Sequence, residues 1–115
     1  MGELAMRPED LARFFVARAN AGDVDGLVAL YERDAVLALP DGRRAEGRVA
    51  IRAFYQRLLA DRPKFAAGDQ QPALRNGDLA LTSTRLASGG ATAEVAHRQA
   101  DGTWLWLIDQ PNVLG

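Results

Sequence analysis

The segment TWLWLIDQPNVLG (residues 103–115) ends the most hydrophobic strand of the chain on a carboxylate, Asp109. Two glycine-containing turns say what could stand beside it. Two-residue turns fix strand register. Read as such turns, Gly89-Gly90 and Asp101-Gly102 put Arg85 opposite Glu94 and Glu94 opposite Asp109. Two acids facing each other repel. Either Arg85 compensates them or one acid keeps a proton, its pKa raised by its neighbour and by burial. A carboxyl titrating near neutrality is what general acid-base catalysis requires. The structural alternatives are plain. An Arg-Glu cross-strand pair is common surface decoration, worth about 0.2–1 kcal/mol. An Asp before a turn often bonds nearby backbone amides.

Other chemistries are excluded by composition. There is no cysteine, so there is no disulfide, thiolate nucleophile or Cys-based metal site. His97 is the only histidine, which excludes a His-dominated metal centre, and no G-x-S-x-G elbow is present. No metal or cofactor is expected. The net charge is -1, and the fourteen basic residues form no stripe, so no nucleic-acid partner is expected. The N-terminus MGELAMRPEDLARFF lacks the apolar run of a signal peptide, and no stretch approaches the ~20 apolar residues of a membrane span. These features point to a cytoplasmic protein. At 115 residues the chain reads as one domain, residues 1–115, large enough to bury a core without staples.

The elements that would position these residues follow from periodicity. PEDLARFFVARANAG (8–22) reads as a helix, with Pro8 at its start and Leu11, Phe14, Phe15 and Ala19 as its stripe. DVDGLVALY (23–31) reads as a second helix capped by Asp23, with Tyr31 on its apolar face. AVLAL (35–39) is a short strand, and GRVAIRAFYQRLLADR (47–62) is a third helix with Ile51, Phe54, Tyr55, Leu58 and Leu59 inward. The default for Tyr31 and Tyr55 is core packing with the hydroxyl tied off. Residues 65–75 form a weak strand, interrupted by Gly68 and Pro72. Strands over 79–87, 91–99 and 103–110 then form a meander. The fold class is α+β, a curved antiparallel sheet wrapped on one face by three helices from the N-terminal half.

Strict alternation assigns the faces. Leu81, Ser83, Arg85, Glu94, Ala96, Leu105, Leu107 and Asp109 share one face. Leu86, Val95, His97, Trp104, Trp106 and Ile108 share the other. The face bearing Trp104, Trp106 and His97 is too apolar for water and reads as the contact between two copies of the chain.

The joint NAGDVDGLVALY, the strand ERDAVLALPDG, the helix EGRVAIRAFYQRLL and the close DGTWLWLIDQPN together resemble the nuclear-transport-factor-2-like superfamily. Within it, the chain is most similar to ketosteroid-isomerase-related and SnoaL-like proteins. The resemblance covers nearly the whole chain and implies a cone closed by helices around an apolar pocket, often dimeric through the outer sheet face. The isomerase's base, its tyrosine donor and its acid donor fall at or near Leu39, Phe15 and Ala96, so isomerase chemistry of that type is not expected. The acid-base aspartate of SnoaL-like cyclases falls at Asp109.

The expectation is a cofactor-free cyclase, isomerase or hydrolase acting on an apolar small molecule. Asp109 would be its general acid-base, Glu94 would raise the Asp109 pKa, and Arg85 would hold Glu94. The pocket wall would include Phe15, Leu39, Phe54, Tyr55, Ala96 and Leu107. Two alternatives stand beside it. One is a non-catalytic ligand-binding module. The other is a dimerisation module whose interior is collapsed around Phe14, Phe15, Phe54 and Tyr55.

Overall fold

The computed structural model describes residues 3–113. The first helix, α1 (Asp10–Asn20), buries Leu11, Phe14 and Ala19. Its start is closed by Asp10, whose carboxylate accepts the backbone N–H groups of Met6 and Arg7 at 3.2 and 3.1 Å. Helix α2 (Val24–Val28) is short and is capped by Asp23, which accepts the Gly26 N–H at 2.9 Å. It does not reach Tyr31. The chain turns over Ala29 and Leu30, and Tyr31 opens the strand β1 (Tyr31–Ala38). The helical spacing of Val24, Leu27, Val28 and Tyr31 is genuine, and all but Val24 are buried. A ladder bond from Trp106 N–H to the Leu30 carbonyl, 2.8 Å, claims the backbone for the sheet at this point. Sheet pairing overrides a marginal third helical turn.

β1 pairs antiparallel with β2 (Arg44–Glu46), and helix α3 (Arg48–Leu58) follows, ending in a single 3₁₀ turn at Leu59–Asp61. The weak strand splits at Pro72 into β3 (Asp69–Gln70) and β4 (Leu74–Asn76). The meander continues through β5 (Leu79–Thr82), β6 (Thr84–Arg85), β7 (Ala93–Arg98) and β8 (Trp104–Gln110). The main sheet has the order β2-β1-β8-β7-β5-β4, with β3 and β6 as a separate pair. The fold is the expected α+β curved sheet with three helices. One pairing is not antiparallel: β1 lies parallel to β8, which brings the two long strands together at the sheet centre.

Register departs from strict alternation in two places. The Gly89-Gly90 loop is wider than two residues. Arg85 bridges Ala91, and Thr82 stands opposite Glu94. The three-residue displacement is odd, so it reverses the expected face of β5 and β6. Ala80, Thr82 and Thr84 are buried, while Leu79, Leu81 and Arg85 face out. The second departure is double. Gln99 N–H bonds the Thr103 carbonyl at 2.7 Å, so the Asp101-Gly102 turn is a three-residue loop with Gly102 at φ 86°. That moves the ladder by one, pairing Ala96 with Trp106. A bulge at Leu107 then moves it back, pairing Val95 with Ile108 and Glu94 with Asp109.

The bulge decides what the core is made of. Trp104, Trp106 and Asp109 all point inward on β8, the two tryptophans being 1% and 3% exposed. They are core residues and not the outer face expected from alternation. Ile108 is the residue that faces out, at 48% exposure.

Gly68 marks a close approach between the β3 segment and β6. A Cβ there would lie 2.6 Å from the Arg85 carbonyl oxygen and 2.6 Å from Thr84 Cγ2. Backbone oxygen cannot yield as a side chain can. Gly68→Ala should therefore cost about 1–3 kcal/mol of stability in urea denaturation, by forcing the two segments apart.

Candidate functional site

The site is built where the two central strands and α3 converge. Leu37 of β1 and Glu94 of β7 flank Asp109 on β8. Asp109 is 5% exposed. The Tyr31 hydroxyl donates to its Oδ2 at 2.5 Å, and the Tyr31 and Tyr55 hydroxyls are 2.6 Å apart. With the Tyr31 proton committed to an ionised carboxylate, Tyr31 accepts from Tyr55. The chain Tyr55–Tyr31–Asp109 thus links α3 to both strands. Helix α3 grips Tyr31 a second time, through Arg48, whose Nε donates to the Tyr31 carbonyl at 2.8 Å.

Glu94 is also 5% exposed, and the Thr82 hydroxyl donates to its Oε1 at 2.7 Å. Burial raises the Glu94 pKa, opposed by hydrogen bonds from Thr92 and Thr82. Burial likewise pushes Asp109 up from the ordinary 3.8 to about 7, the Tyr31 hydrogen bond working against it and the Glu94 charge adding to it. Burial, the Asp109 charge and the neighbouring Tyr55 raise the Tyr31 hydroxyl well above 10.0, so Tyr31 acts as a donor and not as a base. Among the described residues no cation forms an ion pair with either acid.

Of the residues singled out from sequence, Glu94 and Asp109 stand side by side. Arg85 does not join them. It is exposed on β6, opposite Asp69 of β3, because of the register displacement at the wide loop. Proton retention, and not a guanidinium, is what relieves the acid pair. Tyr31 was legible only as core. The available signal was the hydroxyl itself, because a tyrosine on a fully buried stripe needs a polar partner.

The expected wall residues gather partly. Phe15 is half-buried, its ring 6.0 Å from Tyr55, 6.1 Å from Trp106 and 5.6 Å from Phe65. Phe54 lies 5.2 Å from Tyr55, and Ala96 is fully buried. Leu39 and Phe54 line an open cleft of about 190 Å³ with Ala45, Ala50, Ala53 and three arginines. Leu107 sits half-buried on the bulge. The interior beside Asp109 is occupied by the aromatic rings themselves. Phe65, half-buried at the end of these ring contacts, is strapped to α1. Asn20 accepts its N–H at 2.7 Å and donates to its carbonyl at 2.9 Å.

His97 lies away from the acids. Its Nδ1 is 2.6 Å from Glu32 Oε1, which also accepts from Gln99 Nε2 at 2.7 Å. The outer face around it is apolar. Leu74, Leu81, Val95, Ile108 and Val36 form one continuous row across five strands. Among the described residues no group of three or more acids or histidines converges as a metal site, and no helix is long and apolar enough to cross a membrane.

Residues 11–109 match the SnoaL-like domain family. The chain belongs to that family. Solved structures show the same fold. A provisional calcium/calmodulin-dependent protein kinase type II association domain from Thiobacillus denitrificans is 20% identical, covers 95% of this chain and 96% of its own, and superposes with a TM-score of 0.77. A ketosteroid isomerase-like protein from Erwinia carotovora is 21% identical over 88% of each chain, at 0.68. An NTF2-like protein with a cystatin-like fold from Novosphingobium aromaticivorans is 24% identical over 87% and 75%, at 0.66. The family match makes the chain SnoaL-like, the solved structures share its NTF2-like, cystatin-like fold, and family membership supports a small-molecule-binding domain.

The SnoaL-like core carries a measurable electrostatic signature. Asp109 binds a proton more tightly folded than unfolded, so the unfolded chain holds fewer protons between its ordinary 3.8 and about 7. Stability should fall across that window as pH rises and level off above it, by a few kcal/mol in urea titrations. Asp109→Asn should flatten the profile. In carboxyl-carbon NMR, Glu94→Gln should lower the Asp109 pKa and Tyr31→Phe should raise it, because the two neighbours act with opposite sign.

Proposed function

We propose that this SnoaL-like domain binds an apolar small molecule in the cone and acts on it without a cofactor, with Asp109 as general acid-base. The observation that carries the reading is a buried carboxyl held by a hydroxyl chain, with no ion-pair partner among the described residues and its pKa pushed by burial to about 7. Such a group exchanges a proton with a carbon or oxygen acid at the least thermodynamic cost. Burial raises the Asp109 pKa, and the Glu94 charge adds to it. Tyr31 orients the carboxylate, and Tyr55 completes the relay. Arg85 has no part in this version. The wall comprises Phe15, Phe54, Tyr55 and Ala96, and the ligand passes Phe65 when the Asn20 strap releases.

A closed reading has its own support. Phe15, Phe65, Tyr55 and Trp106 already fill the interior with ring-to-ring contacts. In that case the domain's work is association. The surface for it is the outer row of Leu74, Leu81, Val95 and Ile108, with Leu79 beside it. A homodimer through this face fits both readings, since Leu81 and Ile108 are each 48% exposed. The contact then rests on leucines and Ile108, with His97 at its side. Trp104 and Trp106 lie on the far side of the sheet.

Two experiments separate these points. The acid-base reading expects the wild-type protein to catalyse deuterium incorporation from heavy water into enolisable apolar carbonyl compounds. Asp109→Asn should lose about 100-fold or more of that rate. An undiminished rate in Asp109→Asn removes Asp109 from the chemistry, and no incorporation by the wild type leaves the closed reading. For assembly, sedimentation should show a dimer that the double variant Leu81→Glu, Ile108→Glu converts to a folded monomer. A wild-type monomer would dismiss the sheet-face contact.

A further inference from the structure

We propose that Trp106 is a specificity-determining residue of the cone, its indole N–H donating to a neutral acceptor oxygen on the ligand. The inference rests on the reading that the cone takes a small molecule. Its own ground is separate from Asp109. Among the described residues, Trp106 Nε1 is the one buried side-chain polar atom with no hydrogen-bond partner. The residue is 3% exposed, and its ring lies 5.3 Å from Tyr31 and 6.1 Å from Phe15. Proteins pair nearly all buried donors, and an exception calls for a reason such as a ligand contact. Packing alone would be served by phenylalanine.

The chemistry of the partner follows from the donor and its surroundings. An indole nitrogen donates and cannot accept, so the ligand must present an acceptor. The interior already holds two acids, Asp109 and Glu94, and among the described residues no cation forms an ion pair with either. An anionic acceptor would meet repulsion and an uncompensated desolvation cost. A neutral oxygen, a carbonyl or an ether, carries neither penalty. The remaining walls are aromatic, so the body of the ligand is apolar.

The bulge at Leu107 makes the arrangement possible. Alternation alone would set Trp106 and Asp109 on opposite faces, whereas the extra residue turns both inward. The ring contacts Phe65–Phe15 and Phe15–Trp106 lead from the strapped segment to the indole. A ligand displacing Phe65 and Phe15 would arrive against the Trp106 ring.

The test uses matched probes differing in one oxygen: acetophenone against ethylbenzene, and acetylnaphthalene against ethylnaphthalene, with naphthoate as the anionic form. Binding is read by the two indole N–H resonances of isotope-labelled protein, and Trp106→Phe assigns them. The expected result is that each ketone binds about tenfold tighter than its hydrocarbon. In Trp106→Phe each ketone should bind no tighter than its matched hydrocarbon does in the same variant. The Trp106 N–H resonance of the wild type should move downfield with ketones only, which decides the matter even if Trp106→Phe fails to fold. Equal binding of ketone and hydrocarbon would overturn the donor role while leaving the cone a binding site. Naphthoate binding tighter than acetylnaphthalene would overturn the neutral-oxygen assignment. If none of the probes binds, the small-molecule reading falls and this inference falls with it.

Discussion

The arrangement of the interior depends on keeping one carboxyl, Asp109, out of water. An ionised carboxylate in such a place costs several kcal/mol after relaxation. A hydrogen bond to a charged group returns about 1.5–3 kcal/mol. The single bond from Tyr31 therefore does not offset the burial, and Glu94 on the adjacent strand makes ionisation harder still. The remaining solution is to hold a proton until the pH approaches 7. The surroundings are arranged to tolerate both states. Thr82 satisfies Glu94, Tyr31 satisfies Asp109, and Arg48 fixes the strand end that carries Tyr31.

The fold was legible because its signals are cooperative over many residues: three amphipathic helical stretches, then a glycine-punctuated meander. The pairing of Glu94 with Asp109 was legible for a less simple reason. The three-residue loop after Gln99 and the bulge at Leu107 shift the ladder by one in opposite senses. They cancel at the far end of the hairpin and not between. So Glu94 and Asp109 meet as simple turn-counting predicts, while Trp104 and Trp106, lying between the two irregularities, take the opposite face. Arg85 was lost to the loop at Gly89-Gly90, where no second irregularity restores the register. A bulge leaves little local trace in composition. Here the trace was thermodynamic: two tryptophans on a solvent-facing sheet face would be harder to tolerate than Ile108 alone.

The same count explains why the outer face is apolar without being aromatic. Reversing the faces of β5 and of the first half of β8 places tryptophan inside and leucine outside. The outer row from Leu74 to Val36, exposed at Leu74, Leu81 and Ile108, crosses five strands and is longer than scattered surface leucines require. Its polar interruption, His97 with Glu32 and Gln99, is satisfied within the chain. A second copy meeting this face would therefore find apolar area with its hydrogen bonds already made. The desolvation cost of association is lowest for such a surface.

The two tyrosines tie the proton on Asp109 to the helix layer. When the acid is ionised, the order of donation runs from Tyr55 through Tyr31 to the carboxylate. When it is protonated, the carboxyl can donate to Tyr31, and Tyr31 then donates to Tyr55. Each state leaves the chain connected, so a proton can arrive or leave without breaking the contact between α3 and β1. Phenylalanine at either position would pack as well and would remove that tolerance. Tyr55 touches Phe15 and Phe54, the half-buried rings nearest the surface on that side of the core. A ligand that displaces those rings changes the surroundings of the Tyr55 hydroxyl, and the hydrogen-bond chain carries the change to the acid. Buried polar groups in a small core cost stability. The proposed acid-base role would use their placement between a buried acid and half-buried rings, whereas a core without them would be more stable.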